Sequence, residues 1–307
     1  MKNIILSILI FISSQSIACD ACACGAGGSF LGILPNSNKN LIGYKFQNQN
    51  FNFIPSNINI NGQSEILSDH YYRNDIWFRY YAHPKVQLIG NLPYQIHQRK
   101  ESLRNTTING IGDFSLLALY NIYNSGDSTE FKIKQTWRVG GLMVVPTGKY
   151  QQRDETLAML PILFQIGKGA YSYGLQNMYT LKINNWGINT DYRCIWNSEN
   201  EIGQKLGNQL VGVQQLFYAY KTPIYSFLPA IGYMFDFREK NTDNKIADIY
   251  TGGSAHVLLA SLDFYYNKWM IQTMIYKPLQ VNLAEAMPQN DFAFSIGLAY
   301  FLKSNKH

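Results

Sequence analysis

The segment that decides the fold is DFAFSIGLAYFL, residues 291–302 near the end of the chain. Large apolar side chains occupy its even positions: Phe292, Phe294, Ile296, Leu298, Tyr300 and Leu302. Small or polar residues occupy the odd positions Asp291, Ala293, Ser295, Gly297 and Ala299. Side chains of a β-strand alternate between two faces, whereas those of a helix repeat about every 3.6 residues. The segment therefore predicts a strand with one strongly apolar face.

The same alternation recurs in about a dozen segments of the chain. They begin near residues 41, 74, 85, 111, 131, 171, 185, 208, 224, 253, 267 and 291. Turn-forming residues such as Asn184-Asn185 separate neighbouring segments. The pattern predicts an all-β chain, and after residue 18 no apolar run is long enough for a membrane-spanning helix.

Composition decides between the two architectures that accept many alternating strands, a soluble barrel or sandwich and a membrane barrel. Of the 307 residues 14% are aromatic and only 15% are charged, against about 25% charged residues in soluble domains. The second strand face carries Gly, Ser, Ala, Thr and Gln, which suits a crowded interior better than a surface in water. The sequence predicts a transmembrane up-and-down antiparallel β-barrel of about 12 strands, embedded in outer-membrane lipid.

Aromatic residues near the segment ends are typical of the two girdles that border the lipid-facing band of such a barrel. The predicted girdle residues are Tyr71, Tyr72, Tyr80, Tyr81, Trp186, Tyr265, Tyr266 and Trp269.

The N-terminus indicates export from the cytoplasm. Lys2 precedes the apolar run 4–12, and the small residues Ser16 and Ala18 stand where a signal peptidase cleaves. We predict a signal peptide over residues 1–18, a Cys/Gly-rich segment over 19–38 and the outer-membrane barrel over 39–307. The export signal and the barrel pattern together predict the outer membrane of a Gram-negative bacterium.

Three short motifs carry a family resemblance. They are Gly110-Ile111-Gly112-Asp113, Val144-Val145-Pro146-Thr147-Gly148-Lys149-Tyr150 and Gln165-Ile166-Gly167-Lys168-Gly169. Over about residues 105–210 the chain resembles the Gram-negative outer-membrane barrels assigned to transport, akin to the phenol-degradation meta-pathway barrels. The resemblance implies the architecture and the location, and its motifs are glycine and turn positions, which carry no chemistry and identify no substrate.

Cys19, Cys22 and Cys24 form a C-x-x-C-x-C cluster at the predicted mature N-terminus. Three thiolates at this spacing can converge on one soft ion, Cu(I) or Zn(II). Two alternatives stay open. A disulfide of Cys19 with either neighbour would form readily in an oxidising periplasm, and lipidation of Cys19 would leave only two thiols.

Charged residues on the small and polar strand face are candidates for the barrel lumen. They are Lys132, Lys134, Arg138, Asp191, Arg193, Asp236 and Arg238. Such residues either pair with one another and close the lumen or line a path through it. Their mixed sign argues against a strong preference for anions or for cations.

These patterns favour two functions. The first is an outer-membrane channel or transporter for a small solute, and the alternative is a membrane-anchored copper or zinc protein with a periplasmic metal-handling partner. An enzyme is not expected, because the nearby pair Ser254 and His256 has no orienting carboxylate. The scattered basic residues form no stripe with interleaved aromatics, so no nucleic-acid partner is expected.

Overall fold

The computed structural model of the protein describes residues 39–53, 67–101, 105–125, 132–283 and 289–302. Its strands, in chain order, are β1 (Leu41–Phe53), β2 (Leu67–His83), β3 (Val86–Lys100), β4 (Asn105–Ile111), β5 (Phe114–Asn124), β6 (Ile133–Val145), β7 (Ser172–Ile183), β8 (Trp186–Asn197), β9 (Gln204–Lys205), β10 (Gln209–Tyr218), β11 (Tyr220–Lys221), β12 (Tyr225–Arg238), β13 (Thr242–Asp243), β14 (Ile246–Ala247), β15 (Gly253–Tyr266), β16 (Trp269–Leu283) and β17 (Gln289–Phe301). Within these ranges no helix has the length and apolar character needed to cross a membrane.

The long strands form one closed antiparallel barrel. Each pairs with the long strand that follows it in the chain, β10 pairs with β12, and β17 returns to pair with β1. Because β4 and β5 both pair with β3 and continue one another, they make one wall position. The wall therefore has 12 strand positions, which confirms the predicted up-and-down barrel.

The two ends of the barrel differ in the length of their connections. At one end, named here the short-turn end, strands are joined by residues 84–85, 184–185, 219–224 and 267–268. Asn184 and Asn267 open two of these turns with φ angles of 52° and 53°, a conformation that Asn tolerates better than most residues. The other end, the long-loop end, carries residues 146–171, 198–208 and 239–252. Bacterial barrels place short turns in the periplasm, so we assign the short-turn end to that side.

The outward face forms the apolar band that the alternation predicts. Exposed large apolar side chains occur on strands all around the barrel, including Ile76, Trp137, Leu175, Ile231 and Ile296. Large apolar surfaces facing outward and polar side chains facing inward are opposite to the arrangement of a soluble barrel.

The girdle prediction is right for only part of its residues. Tyr80, Trp186, Tyr266 and Trp269 are exposed on the outer face at the short-turn end. Tyr71, Tyr81 and Tyr265 occupy odd positions of β2 and β15, which face the interior together with buried neighbours such as Asp75 and Leu259. Adjacent tyrosines in a strand must point to opposite faces, so each Tyr-Tyr pair gives one outward ring and one inward ring.

Two predicted strand starts differ from the observed ones by more than two residues. β2 begins at Leu67, seven residues before the predicted start near residue 74. The prediction missed these residues because inward polar groups such as Asp69 hide the alternation there. The segment near residue 111 is interrupted at residues 112–113. Even positions such as Ile108 face inward in β4, whereas odd positions such as Leu117 do so in β5. The interruption therefore shifts the alternation by one residue.

A charge on the lipid-facing band should destabilise the barrel. Ile76 lies near the middle of β2 and is 58% exposed on the outer face. We expect Ile76→Arg to lower the free energy of unfolding by about 2–4 kcal/mol, the cost of Arg at a bilayer midplane. Denaturant titration of the protein in lipid vesicles measures this change.

Ile246→Arg is the matched control for this experiment. Ile246 is 75% exposed but lies in β14, among the long loops outside the barrel wall. We expect a change within about 0.5 kcal/mol, as at ordinary surface sites. Equal costs at the two positions would contradict the membrane-facing assignment of β2.

Candidate functional site: the lumen and its inward loop

Paired charges form the centre of the inner wall. Asp75 on β2 is 0% exposed, and its Oδ1 accepts hydrogen bonds from Arg73 Nε at 2.7 Å and Asn91 Nδ2 at 3.1 Å. Its Oδ2 faces Lys45 Nζ at 3.6 Å, an ion pair beyond hydrogen-bond range. One carboxylate thus faces two cations, and all four side chains come from β1, β2 and β3.

Four of the predicted lumen residues form two further ion pairs on the inner wall. Asp191 and Arg193 are buried on β8, and Arg193 Nη2 lies 3.4 Å from Asp191 Oδ2. On β12, Arg238 Nη2 lies 2.8 Å from Asp236 Oδ2. In each pair a glutamine amide from a neighbouring strand donates to both carboxylate oxygens, Gln176 to Asp191 and Gln209 to Asp236. The structure therefore places these charges inside the barrel as ion pairs, and each carboxylate contacts both a cation and a glutamine amide.

The remaining three predicted lumen residues lie toward the short-turn end of β6. Arg138 is buried, and its Nε donates to Asn121 Oδ1 at 2.8 Å. Lys134 is half-buried and shares the inward face of β6 with Arg138. Lys132 is exposed just before β6 begins. Two of the three thus border the inside of the barrel, and Lys132 lies at its rim.

Large apolar side chains narrow the lumen. A cluster of buried residues on the inner wall includes Trp77, Leu119, Leu259, Met270 and Met274. Inward glycines make room for the largest of them, since a Cβ atom on Gly43 would lie 2.6 Å from the Trp77 ring. The prediction of an interior made of small and polar residues is therefore only partly right, because the interior also holds packed aromatic and aliphatic side chains.

The connection 146–171 between β6 and β7, named here the inward loop, enters the barrel from the long-loop end. Phe164 is 0% exposed and packs against the rings of Tyr71 and His97. Arg99 lies over the Phe164 ring, with its guanidinium carbon 4.7 Å from the ring centre, and forms two 2.8 Å hydrogen bonds to Asp69. The loop therefore packs on inward residues of β2 and β3.

Polar contacts fix the backbone of the inward loop to the wall. His97 Nδ1 lies 2.8 Å from the carbonyl oxygen of Phe164, and Gln95 Nε2 donates to the carbonyl oxygen of Ile166 at 3.3 Å. Tyr150 donates to Glu201 of the next long loop at 2.7 Å. This hydrogen bond raises the pKa of the Tyr150 hydroxyl.

Asp113 joins the three motifs that carry the family resemblance. Its Oδ1 accepts a hydrogen bond from the backbone N–H of Gly148, and its Oδ2 accepts one from the backbone N–H of Lys168, both at 2.9 Å. Gly148 and Gly167 lie in backbone contact, since a Cβ atom on Gly148 would be 2.8 Å from the Gly167 Cα. The break between β4 and β5 supplies Asp113, and one carboxylate thus fixes both the beginning and the end of the inward loop.

Two cavities lie on opposite sides of the narrow region. A cavity of about 100 Å³ in the long-loop half is bordered by the inward loop, including Lys168, and by Arg73, His97 and Arg238. A larger cavity of about 710 Å³ opens at the short-turn end, bordered by Lys134, Arg138 and residues 219–226. Between these two chambers, the described part of the inner wall carries the ion pairs and the packed apolar groups.

Comparison with solved structures supports the barrel fold. The fold matches the crystal structure of an outer membrane channel from Pseudomonas putida F1 with a TM-score of 0.65, at 15% identity over 88% of this chain and 100% of that chain. The NanC porin matches with a TM-score of 0.45, at 10% identity over 83% and 100% of the two chains. No protein-family model matches the sequence, and no curated protein matches it.

The likeness to the Pseudomonas putida channel is one of fold, since the identity is low. It agrees with the apolar outer band, and the chain is an outer-membrane β-barrel of a Gram-negative bacterium, as predicted. The closer tie to phenol-degradation barrels is not shown and stays a prediction.

The predicted metal site at Cys19, Cys22 and Cys24 lies outside the described residues, as do the signal peptide and the segment 19–38. Across the described ranges no group of three His, Cys, Asp or Glu residues is arranged to hold a metal ion. Met270 and Met274 pack in the apolar cluster. The binding of Cu(I) or Zn(II) by the cysteine cluster therefore stays a prediction.

Sequence reasoning missed the Asp75 ion pairs, the Asp113 junction and the inward position of His97. Asp69, Arg73, Asp75 and Arg79 all occupy odd positions of one strand, so the signal was present in the alternation of β2. Trp77 on the same face concealed it, because a large aromatic residue among charges resembles an outer face. The Asp113 contacts join residues 35 and 55 positions apart, and no local pattern predicts such pairs.

Proposed function

We propose that the barrel is a narrow channel that passes a small solute across the outer membrane. The observation that carries this proposal is a set of three inward glutamines, Gln47, Gln87 and Gln215, each only 1% exposed. Neither amide atom of any of the three finds a hydrogen-bond partner among the described residues.

Unpaired buried amides are costly in a protein that needs only to be stable. Each group without a partner costs about 1–3 kcal/mol, and leucine at these positions would remove that cost. In a hydrated lumen the same amides bind water, or a passing solute, with little loss. Each of the three is closed to solvent in this structure, so these groups on β1, β3 and β10 support a lumen whose side chains move enough to admit water to the amides.

The size of the barrel supports a small solute. Barrels of about 8 strands are filled by their side chains and those of about 16 strands leave an aqueous channel. The 12 strand positions lie between these limits, and the inward loop and the apolar cluster narrow the lumen further. A solute larger than a small organic molecule would not pass without movement of the loop.

Conductance of purified protein in planar bilayers tests the proposal. We expect discrete channel events from the parent protein, and a several-fold lower conductance from the double variant Gln47→Leu/Gln215→Leu, because apolar walls expel water from a narrow pore. The free energy of unfolding should stay equal or rise, since two unpaired amides are removed. A variant that loses conductance because it misfolds would instead have a lower free energy of unfolding.

Gln98→Leu is the control for this pair. Gln98 lies on the outward face of β3, between the inward residues His97 and Arg99, so its substitution should leave conductance unchanged. If folded parent protein gives no more channel events than a protein-free bilayer, the barrel is not a channel in this form. Equal conductance in the parent and the double variant would show that these glutamines do not line the conducting path.

A further inference from the structure

The larger cavity, named here the basic vestibule, has an unusual set of charges. Its described wall includes Lys39, Lys134, Arg138, Lys182 and Lys221, and no described residue that lines it is an Asp or a Glu. Asp263 lies on a neighbouring inward position of β15, but it is 1% exposed and accepts a hydrogen bond from Gln272. The vestibule therefore presents several positive charges and no carboxylate from these residues.

The long-loop end does not share this excess of positive charge. There the described loops mix both signs, with Asp154, Glu155 and Glu201 beside Lys149 and Arg153. The central ion pairs are also balanced, as in Asp191 with Arg193. Among the described residues the balance of charge therefore becomes more positive toward the short-turn end, and a cleft with one sign of charge concentrates ions of the opposite sign.

The rest of the vestibule wall is apolar and hydroxylic. Phe217, Tyr225, Leu228 and Phe301 border the cavity together with Thr136. A volume of about 710 Å³ lies within the range of sites for small organic molecules. An inorganic anion would leave most of this apolar surface without a partner, whereas an organic anion would use both the charges and the rings.

We propose that the basic vestibule is a binding site for a small organic carboxylate with an apolar body. The lysines and Arg138 attract the carboxylate, and the aromatic and aliphatic side chains contact the apolar part. The inference deepens the proposed function, because a solute that crosses the lumen must pass through this chamber. Binding is measurable without conductance, so either proposal can fail while the other stands.

Calorimetric titration of the folded full-length protein in detergent tests the site, with benzoate as the probe. Benzamide has the same ring without the charge, acetate has the charge without the ring, and inorganic phosphate represents a simple anion. We expect benzoate to bind at least about fivefold more tightly than each of the other three. We also expect its affinity to fall as ionic strength rises, since salt screens exposed charges.

The double variant Lys134→Gln/Lys221→Gln tests the location of the site. Both lysines border the vestibule, and we expect their removal to weaken benzoate binding by about fivefold, in keeping with partly exposed charge contacts. Lys245→Gln removes an exposed charge from the opposite, long-loop end, away from the vestibule wall, and it should leave the affinity unchanged.

Three outcomes would overturn the inference. They are no benzoate binding by folded protein, equal binding of benzoate and benzamide, and an unchanged affinity in the double variant. Tighter binding of phosphate or acetate than of benzoate would show a simple anion site and would overturn the organic part of the proposal. Unheated and boiled samples compared on a gel would show that each variant is folded, since a membrane barrel migrates in a compact form until it is boiled.

Discussion

Asp113→Ala is expected to release the inward loop from the barrel wall. The substitution removes the acceptor for the backbone N–H groups of Gly148 and Lys168, which lie near the two ends of the loop. Hydrogen bonds to a charged group contribute about 1.5–3 kcal/mol each, so the closed arrangement should lose roughly 3 kcal/mol. That loss raises the open population on the order of 100-fold, because each 1.4 kcal/mol is about a factor of ten.

Limited trypsin digestion measures this opening without any assumption about transport. Lys149 and Arg153 lie on exposed parts of the loop, and cleavage there follows the population of the open form when opening is rapid. We expect cleavage of Asp113→Ala to be on the order of 100-fold faster than cleavage of the parent protein. The barrel itself should remain resistant, since its strands are paired on both sides.

Asp113→Asn and Glu155→Ala complete this experiment. An Asn side chain retains one oxygen acceptor but presents an amide N–H to the second backbone donor, so an intermediate rate is expected. Glu155 is an exposed residue of the same loop, and its removal should leave the rate unchanged. Equal cleavage of Asp113→Ala and the parent would show that the other contacts of the loop, the packing of Phe164 and the hydrogen bonds of His97 and Gln95, are enough to hold it.

The loop variants also connect this junction to the proposed channel. If the inward loop narrows the lumen, then Asp113→Ala should raise the single-channel conductance in planar bilayers several-fold. Faster proteolysis with unchanged conductance would show that the loop lies outside the conducting path, although Asp113 holds it against the wall in the parent protein.

Much of the barrel is predictable from the sequence, because membrane and lumen impose opposite chemistry on alternate residues. The predicted starts near 41, 85, 171, 185, 208, 224 and 253 lie within one residue of the observed strands. The prediction is poorest for β2, where Asp69 and Tyr71 face the interior beside the inward loop. Alternation reports which solvent a face meets, and it is weak where both faces carry aromatic or polar groups.

The arrangement of the interior could not be predicted in the same way. The sequence indicates that Asp191 and Arg238 face inward, but the partner of each charge depends on strand register and on side-chain conformation. Asp75 shows this best, because its partners Lys45 and Asn91 lie on the two neighbouring strands. Register is set by the whole closed sheet, and no single segment contains that information.

Asp75→Asn is expected to cause a loss of stability among the largest for any single substitution of the inner wall. The carboxylate is fully buried between Arg73 and Lys45, and its removal leaves two inward cations without their counter-ion. Breaking a buried ion pair from one side costs about 3–5 kcal/mol. Denaturant titration in vesicles should show a loss of this size, whereas exposed Glu155→Gln should change the free energy of unfolding by less than about 0.5 kcal/mol.

A second substitution distinguishes an unpaired charge from a simple loss of packing. Adding Lys45→Met to Asp75→Asn removes one of the two stranded cations while keeping a side chain of similar length, so part of the lost stability should return. If the interior around Asp75 is instead well hydrated, water would solvate both cations, Asp75→Asn would cost less than about 1 kcal/mol, and Lys45→Met would rescue nothing. The size of this rescue therefore measures how dry the centre of the lumen is, and a small value would favour a continuous aqueous path past the ion pairs.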